Sequence, residues 1–274
     1  MKLKTVPARQ GMTWVRQGLR AFFGRPMAYT ALFASFMFAV FVLALLPLVG
    51  PLLGLMLLPL VTLGFMLATR VVVAGGLPTP TVFVAPLRAE RSRVVSLVWL
   101  GALYAGSTFA ALWISGVVDN GALDAFMEAI PAGQNTAEVM AARLAAPGLF
   151  AGLILRFGLT GLLAVPFWHA PALIFWDGQR CAQALFSSTL ACWRNRGAFT
   201  VYSLTWFALV LSFGMVASLL FAAIGSPQLF AVAALPISLL ITTVFYASLY
   251  FTFADSFIAS DAEPSPAAAD DAIH

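Results

Sequence analysis

Arg156 is the residue whose type and place first ask for chemistry. It sits in the apolar run Leu149 to Leu163. An ionised side chain in hydrocarbon costs at least about 2.5 kcal/mol on insertion scales, which makes such a residue a functional candidate. Eight residues inside a helix at 1.5 Å each, its Cα lies about 12 Å deep. From there the guanidinium can snorkel to phosphates, pair with carbonyls, or bind an anion or a lipid headgroup. Glu138 and Asp119 could neutralise it if the segment carrying them folds inward, whereas Asp255 lies most of a membrane thickness away. His169 is the second candidate, within Pro166-Phe167-Trp168-His169-Ala170-Pro171. Two prolines five apart free backbone carbonyls and kink a helix. A histidine there could shuttle protons. With no intramembrane Asp or Glu to relay to, a satisfied interface histidine beside Trp168 is the preferred reading.

Other chemistry-bearing residues are sparse. His169 and His274 are the only histidines, Cys181 and Cys192 the only cysteines, and none of them form a metal-ligand pattern. Eleven residues apart on a helix, the two cysteines stand about 16 Å apart along the axis, beyond the roughly 7 Å a disulfide spans. There is no phosphate-binding Gly-Lys-Ser/Thr loop, no His-Glu-x-x-His and no serine, histidine and acid set for a triad. The chain reads as no enzyme, with no metal and no cofactor. No span carries a central carboxylate, so the usual ion or proton coupling site is missing.

The elements that must hold these residues follow from composition. Of 274 residues, 61% are hydrophobic and 9% charged, with a mean hydropathy of +0.94; soluble domains carry about 25% charged residues. The expected fold is all-α and polytopic in a membrane. A helix needs about 20 apolar residues to cross about 30 Å of hydrocarbon, and six segments qualify: 27–47, 51–73, 94–117, 148–175, 198–224 and 229–257. Pro47, Gly50 and Pro51 part the first two, and Gly225-Ser226-Pro227 the last two. The first apolar run begins only near Met27, so no signal peptide is expected. Residues 1–258 form one transmembrane domain. In 259–274, Asp261, Glu263, Asp270 and Asp271 stand among Ala, Ser and Pro, and a disordered acidic tail is expected.

Charge sets the orientation. Lysine and arginine collect at cytoplasmic flanks. Lys2, Lys4, Arg9, Arg16, Arg20 and Arg25 precede the first span. Arg70, Arg88, Arg91 and Arg93 lie between the second and third, and Arg180, Arg194 and Arg196 between the fourth and fifth. Thirteen of the fifteen cations therefore share one side, and both termini are read as cytoplasmic. The net charge of +4 is a topology signal and points to no nucleic acid.

Two amphipathic cytoplasmic helices are expected. In 11–23, Trp14, Val15, Leu19, Phe22 and Phe23 oppose Arg16, Gln17 and Arg20; in 180–193, Ala182, Leu185, Phe186 and Trp193 oppose Gln183, Ser187 and Arg194. Such helices either pack on their own bundle or meet lipid or a partner. Membrane-surface anchoring falls to Trp14, Arg16, Arg20, Arg25, Trp193, Arg194 and Arg196, and Trp168 and Trp176 join the interfacial aromatic belt. The exterior loop, 118–147, holds four carboxylates against Arg143. Asp119 can cap a short helix bearing Leu123, Phe126, Met127 and Ile130. Pro131 and Gly133 break that helix, and a further turn follows from Thr136 to Leu144. Gly50-x-x-x-Gly54 and Gly148-x-x-x-Gly152 have the spacing of helix-packing pairs. Leu19-x-x-Phe22-x-x-Arg25 matches Leu190-x-x-Trp193-x-x-Arg196, and arginines also precede the third span. Three units of surface helix plus transmembrane hairpin account for this, the middle one with a shorter surface segment.

At Ala170-Pro171-Ala172-Leu173, followed by Ala184-Leu185, Ser187-Ser188, Ala191-Cys192 and Asn195, the chain resembles a family of uncharacterised six-span inner-membrane proteins of proteobacteria. More distantly it is similar to the membrane domain associated with glycerophosphodiester phosphodiesterases. The layout covers all six spans and the motif covers 166–200. The resemblance implies a bacterial inner membrane and brings no catalytic residues. The distant relatives' phosphodiesterase domain has no counterpart in this sequence, so their activity is not implied.

Two functional readings follow. One is an integral inner-membrane scaffold or accessory subunit without enzymatic activity, contacting membrane lipids or a membrane or cytoplasmic protein. The alternative is a small transporter or export factor for an anionic or lipid-like substrate, its path lined by Arg156 and the Pro166–Pro171 kink.

Overall fold

The computed structural model describes residues 1–129, 137–225 and 228–258. The chain is an all-α polytopic membrane protein. Its helices are α1 (Gln10–Gly24), α2 (Pro26–Ala44), α3 (Val49–Val73), α4 (Arg91–Asp119), α5 (Ala122–Ala129), α6 (Ala137–Leu144), α7 (Leu149–Phe167), α8 (Ala170–Asp177), α9 (Cys181–Arg194), α10 (Arg196–Ala223) and α11 (Gln228–Ser256). Among the described residues six segments are long and apolar enough to cross a membrane: α2, α3, α4, α7 with α8, α10, and Pro236–Ser256 of α11. The expected break at Pro131 and Gly133, part of the Gly225-Ser226-Pro227 break, and the acidic tail lie outside the described residues.

Each boundary has a local cause. Between α2 and α3 the chain reverses at Leu48, whose φ is 64°. A side chain on Gly50 would collide with the Leu43 carbonyl, so glycine keeps this turn tight. Pro51 sits in the first turn of α3, where a missing N–H costs little. The kink expected at Pro166 and Pro171 is a full break: α7 ends at Phe167, and α8 restarts with Pro171 in its first turn. The break turns α8 inward, and all of Ala170 to Ile174 is buried.

The surface segments form a ring. The two 3-10 turns Pro80–Phe83 and Ala85–Arg88 lie on α3, α9 lies on α7 and α8, and α1 lies on α10 and α11. Each segment that precedes a transmembrane hairpin thus rests on the hairpin before it, and the first rests on the last. In the middle unit the surface segment is two 3-10 turns rather than a helix. The closing step brings residues 2–3 against residues 257–258. Lys2–Leu3 (β1) pairs antiparallel with Phe257–Ile258 (β2) in a two-stranded ribbon that the all-α reading did not include. Outside this layer, α2, α7 and α10 expose Phe41, Ile154, Phe157, Phe207, Val216 and Leu219, as helices solvated by hydrocarbon do.

Candidate functional site

The α7–α8 break is held by α9. Ser188 Oγ donates to the Val165 carbonyl and accepts the His169 N–H, both at 3.0 Å. It thereby satisfies backbone groups that the break exposes inside the bundle. Asn195, between α9 and α10, ties the N-terminal segment down: its Oδ1 accepts the Val6 N–H at 2.9 Å and its Nδ2 donates to the Lys4 carbonyl at 3.0 Å. Both residues belong to the motif that carries the family resemblance, and neither stood out as a site from sequence. The signal was present as a stripe of small residues, Ala184, Ser188, Ala191 and Asn195, all buried.

His169 is fully buried, with its ring against Phe199, Phe253 and Phe257 at centroid distances of 5.8, 5.8 and 5.4 Å. The expected satisfied histidine is not found: neither ring nitrogen has a hydrogen-bond partner among the described residues. Trp168, expected in an interfacial belt, is half-buried; its Nε1 donates to Thr252 Oγ1 at 3.2 Å and its ring meets Phe199, Tyr202 and Phe245 edge-on. Trp176 also turns inward, against Phe253 at 4.9 Å.

Arg156 lies elsewhere, near the far end of the bundle. Its Nε donates to Ser115 Oγ at 2.9 Å and its Nη1 pairs with Asp124 Oδ1 at 2.8 Å. The loop does fold inward, but it brings Asp124 rather than Glu138 or Asp119. Asp119 acts as the expected cap: Oδ1 accepts the Gly121 N–H at 2.8 Å and Oδ2 the Leu123 N–H at 3.3 Å. Gly152 lets α7 close over that carboxylate, since a Cβ there would strike it. Gly54 of the other small-residue pair faces open space. A lateral cavity of about 480 Å³ borders Arg156, Asp124, Phe109 and Trp113.

The two amphipathic helices behave differently. Trp14, expected at the membrane surface, is wholly buried, its Nε1 donating to Asp255 Oδ2 at 2.8 Å. The cause is close backbone approach: at Gly11 the chain abuts Ala198 and Tyr202, leaving no room for a side chain and drawing α1 into the core. Arg16, Arg20 and Arg25 remain exposed. In α9 it is the small face, Ala184, Ser188, Ala191 and Cys192, that packs. Of the expected stripe, Leu185 packs half-buried against the core, while Phe186, 69% exposed, and Trp193, 67% exposed, turn outward. Arg194 and Arg196 are exposed beside it, and the Arg196 guanidinium lies 5.6 Å over the Trp193 ring. A groove of about 430 Å³ runs between α7, α9 and α10 from this point. Cys181 and Cys192 are both free thiols. Burial pushes the Cys192 thiol up to about 12 and the half-buried Cys181 thiol up as well. Among the described residues no three His, Cys, Asp or Glu side chains gather as metal ligands would.

Comparison with known proteins finds 36% identity over 260 residues to a protein of Burkholderia thailandensis named "Probable inner membrane protein", covering 94% of each chain. No family model matches, and no solved structure matches.

Proposed function

The chain belongs to the inner-membrane protein family that this Burkholderia relative represents, and on that footing we propose that it is a scaffold or accessory subunit without enzymatic activity. It is a multi-pass inner-membrane protein. In this reading both termini are cytoplasmic, in keeping with the placement of thirteen of its fifteen cations. The observation that carries the proposal is the outward face of α9. A helix that served only its own bundle would bury its large apolar side chains. This one packs through alanine, serine, cysteine and Leu185 but turns Phe186, Leu190 and Trp193 out beside Arg194. Aromatic and basic residues together suit an anionic membrane surface or a partner seated there. A photo-crosslinking residue in place of Phe186 in intact cells should capture lipid or one recurrent protein. Capture of unrelated neighbours alone would remove the proposal.

The transporter reading draws on the cavity beside Arg156. Against it, the guanidinium is already engaged by Asp124 and Ser115. Arg156→Ala separates the two: a deletion strain whose every transport defect is rescued by that variant leaves transport without its main support. The distant likeness to the membrane domain associated with glycerophosphodiester phosphodiesterases, read from the Ala170-to-Asn195 motif, gains no support from the comparisons. The motif's residues close a helix break, so no phosphodiester cleavage is proposed from it.

A further inference from the structure

The groove between α7, α9 and α10 joins a cationic mouth to an apolar floor. At the mouth Arg196 stacks on Trp193, which orients the guanidinium before any ligand arrives. The groove is lined further by Gly161 and Ala164 of α7, by Trp168, and by Thr200 and Leu204 of α10. Gly161 and Ala164 leave the space that larger side chains would fill. No carboxylate lines the groove, and Arg196 makes no ion pair among the described residues.

We propose that this groove binds an anionic phospholipid, with the phosphate on Arg196 and one acyl chain laid against Gly161, Ala164 and Leu204. The proposal rests on the reading of α9 as a helix at the membrane surface. The dimensions suit the occupant. From Arg196 to Leu204 is eight helical residues, about 12 Å, against a half-bilayer of about 15 Å of hydrocarbon, and about 430 Å³ lies in the range of small-molecule sites, which suits part of a lipid rather than the whole molecule. The charge is complementary: a single arginine near an anionic surface favours it by about fivefold. The repeat supplies a second instance. Arg25, which matches Arg196 in the Leu-x-x-aromatic-x-x-Arg pattern, also starts a transmembrane helix. It also borders a cleft of about 330 Å³, lined by Arg20 of α1, by Val72 and Val73 of α3 and by Phe251 of α11. In both units the hairpin-starting arginine stands beside a gap next to its surface helix, although the first gap is walled mainly by α1 and α3 and the second by α7, α9 and α10.

The test uses the full chain in phosphatidylcholine vesicles carrying a minor share of phosphatidylglycerol, with a photo-crosslinking residue in place of Leu204. Phosphatidylglycerol should be captured roughly fivefold above its share of the bilayer. Arg196→Gln should reduce capture to that share and Arg196→Lys should keep most of the enrichment. Ala164→Phe, which fills the groove and leaves the charge in place, should lower total lipid capture several-fold. Capture at the bilayer share in the unaltered chain, unchanged enrichment in Arg196→Gln, or chain-to-chain crosslinks from residue 204 would each overturn the proposal. Lipid captured from position 186 but unenriched at 204 removes the groove and leaves the surface helix standing; no lipid at either position removes both.

Discussion

Arg156 of α7 and Asp124 of α5 pair at 2.8 Å because Asp119, five residues before Asp124, caps the start of α5. The cap is buried, whereas in the pair Asp124 is 59% exposed and Arg156 18% exposed. A buried carboxylate that accepts two backbone N–H groups is worth more than an ion pair whose carboxylate is mostly exposed.

That order can be measured. Asp124→Asn should cost no more than about 1 kcal/mol, as exposed pairs do. Asp119→Ala should cost about 1–3 kcal/mol, since it leaves two backbone donors unsatisfied beside α7. Unfolding of the purified variants in detergent checks both. If Asp124→Asn is the costlier, the roles assigned to the two carboxylates are reversed.

Ser188→Ala should destabilise by about 1–3 kcal/mol, because the Val165 carbonyl and the His169 N–H lose their common partner at the helix break. Asn195→Ala should act on the N-terminal segment instead. Faster hydrogen exchange at the Val6 N–H is expected, with α7 and α8 unchanged; protection equal to that of the unaltered chain would show that the β1–β2 pairing alone holds the N-terminal segment.

The thiolate is the reactive form of cysteine. A raised thiol pKa keeps the neutral form, so Cys192, held up to about 12, stays protonated throughout pH 7–9. Cys181, less buried, should be alkylated by maleimide faster than Cys192 at each pH in that range, and its rate should rise with pH. Equal rates for the two residues would contradict the burial of Cys192.

Reporter enzymes fused at residues 85, 130 and 190 test the orientation. Positions 85 and 190 should report the cytoplasm and position 130 the opposite side. A cytoplasmic signal from 130 would invert the assignment of both termini.

Much of the architecture was legible along the chain because its causes are local. Pro47, Gly50 and Pro51 mark a reversal wherever they stand, and the hairpin turn falls there. Asp119 before an i, i+3, i+4 apolar pattern caps α5 as that pattern requires. The proline pair around His169 broke its helix rather than bending it, because Ser188 on a neighbouring helix was placed to satisfy the groups set free.

Which face of each helix packs was not legible. In spans where nearly every residue is apolar, hydrophobicity does not distinguish the lipid side from the protein side, and the closest approaches are made by small residues. Gly11 therefore drew Trp14 inward against expectation, and Ala184, Ser188 and Ala191 took α9 onto the bundle while Phe186 and Trp193 turned out.

Sequence alone determined six spans and a disruption of the fourth at its proline pair, since each depends on runs of neighbouring residues and on the cost of charge in hydrocarbon. Only the tertiary structure decided that Asp124 would meet Arg156, that His169 would lie among three phenylalanines, and that α1 would close a ring on the last hairpin. Those outcomes join residues between 30 and 240 positions apart, and packing between helices selects them where local propensity cannot.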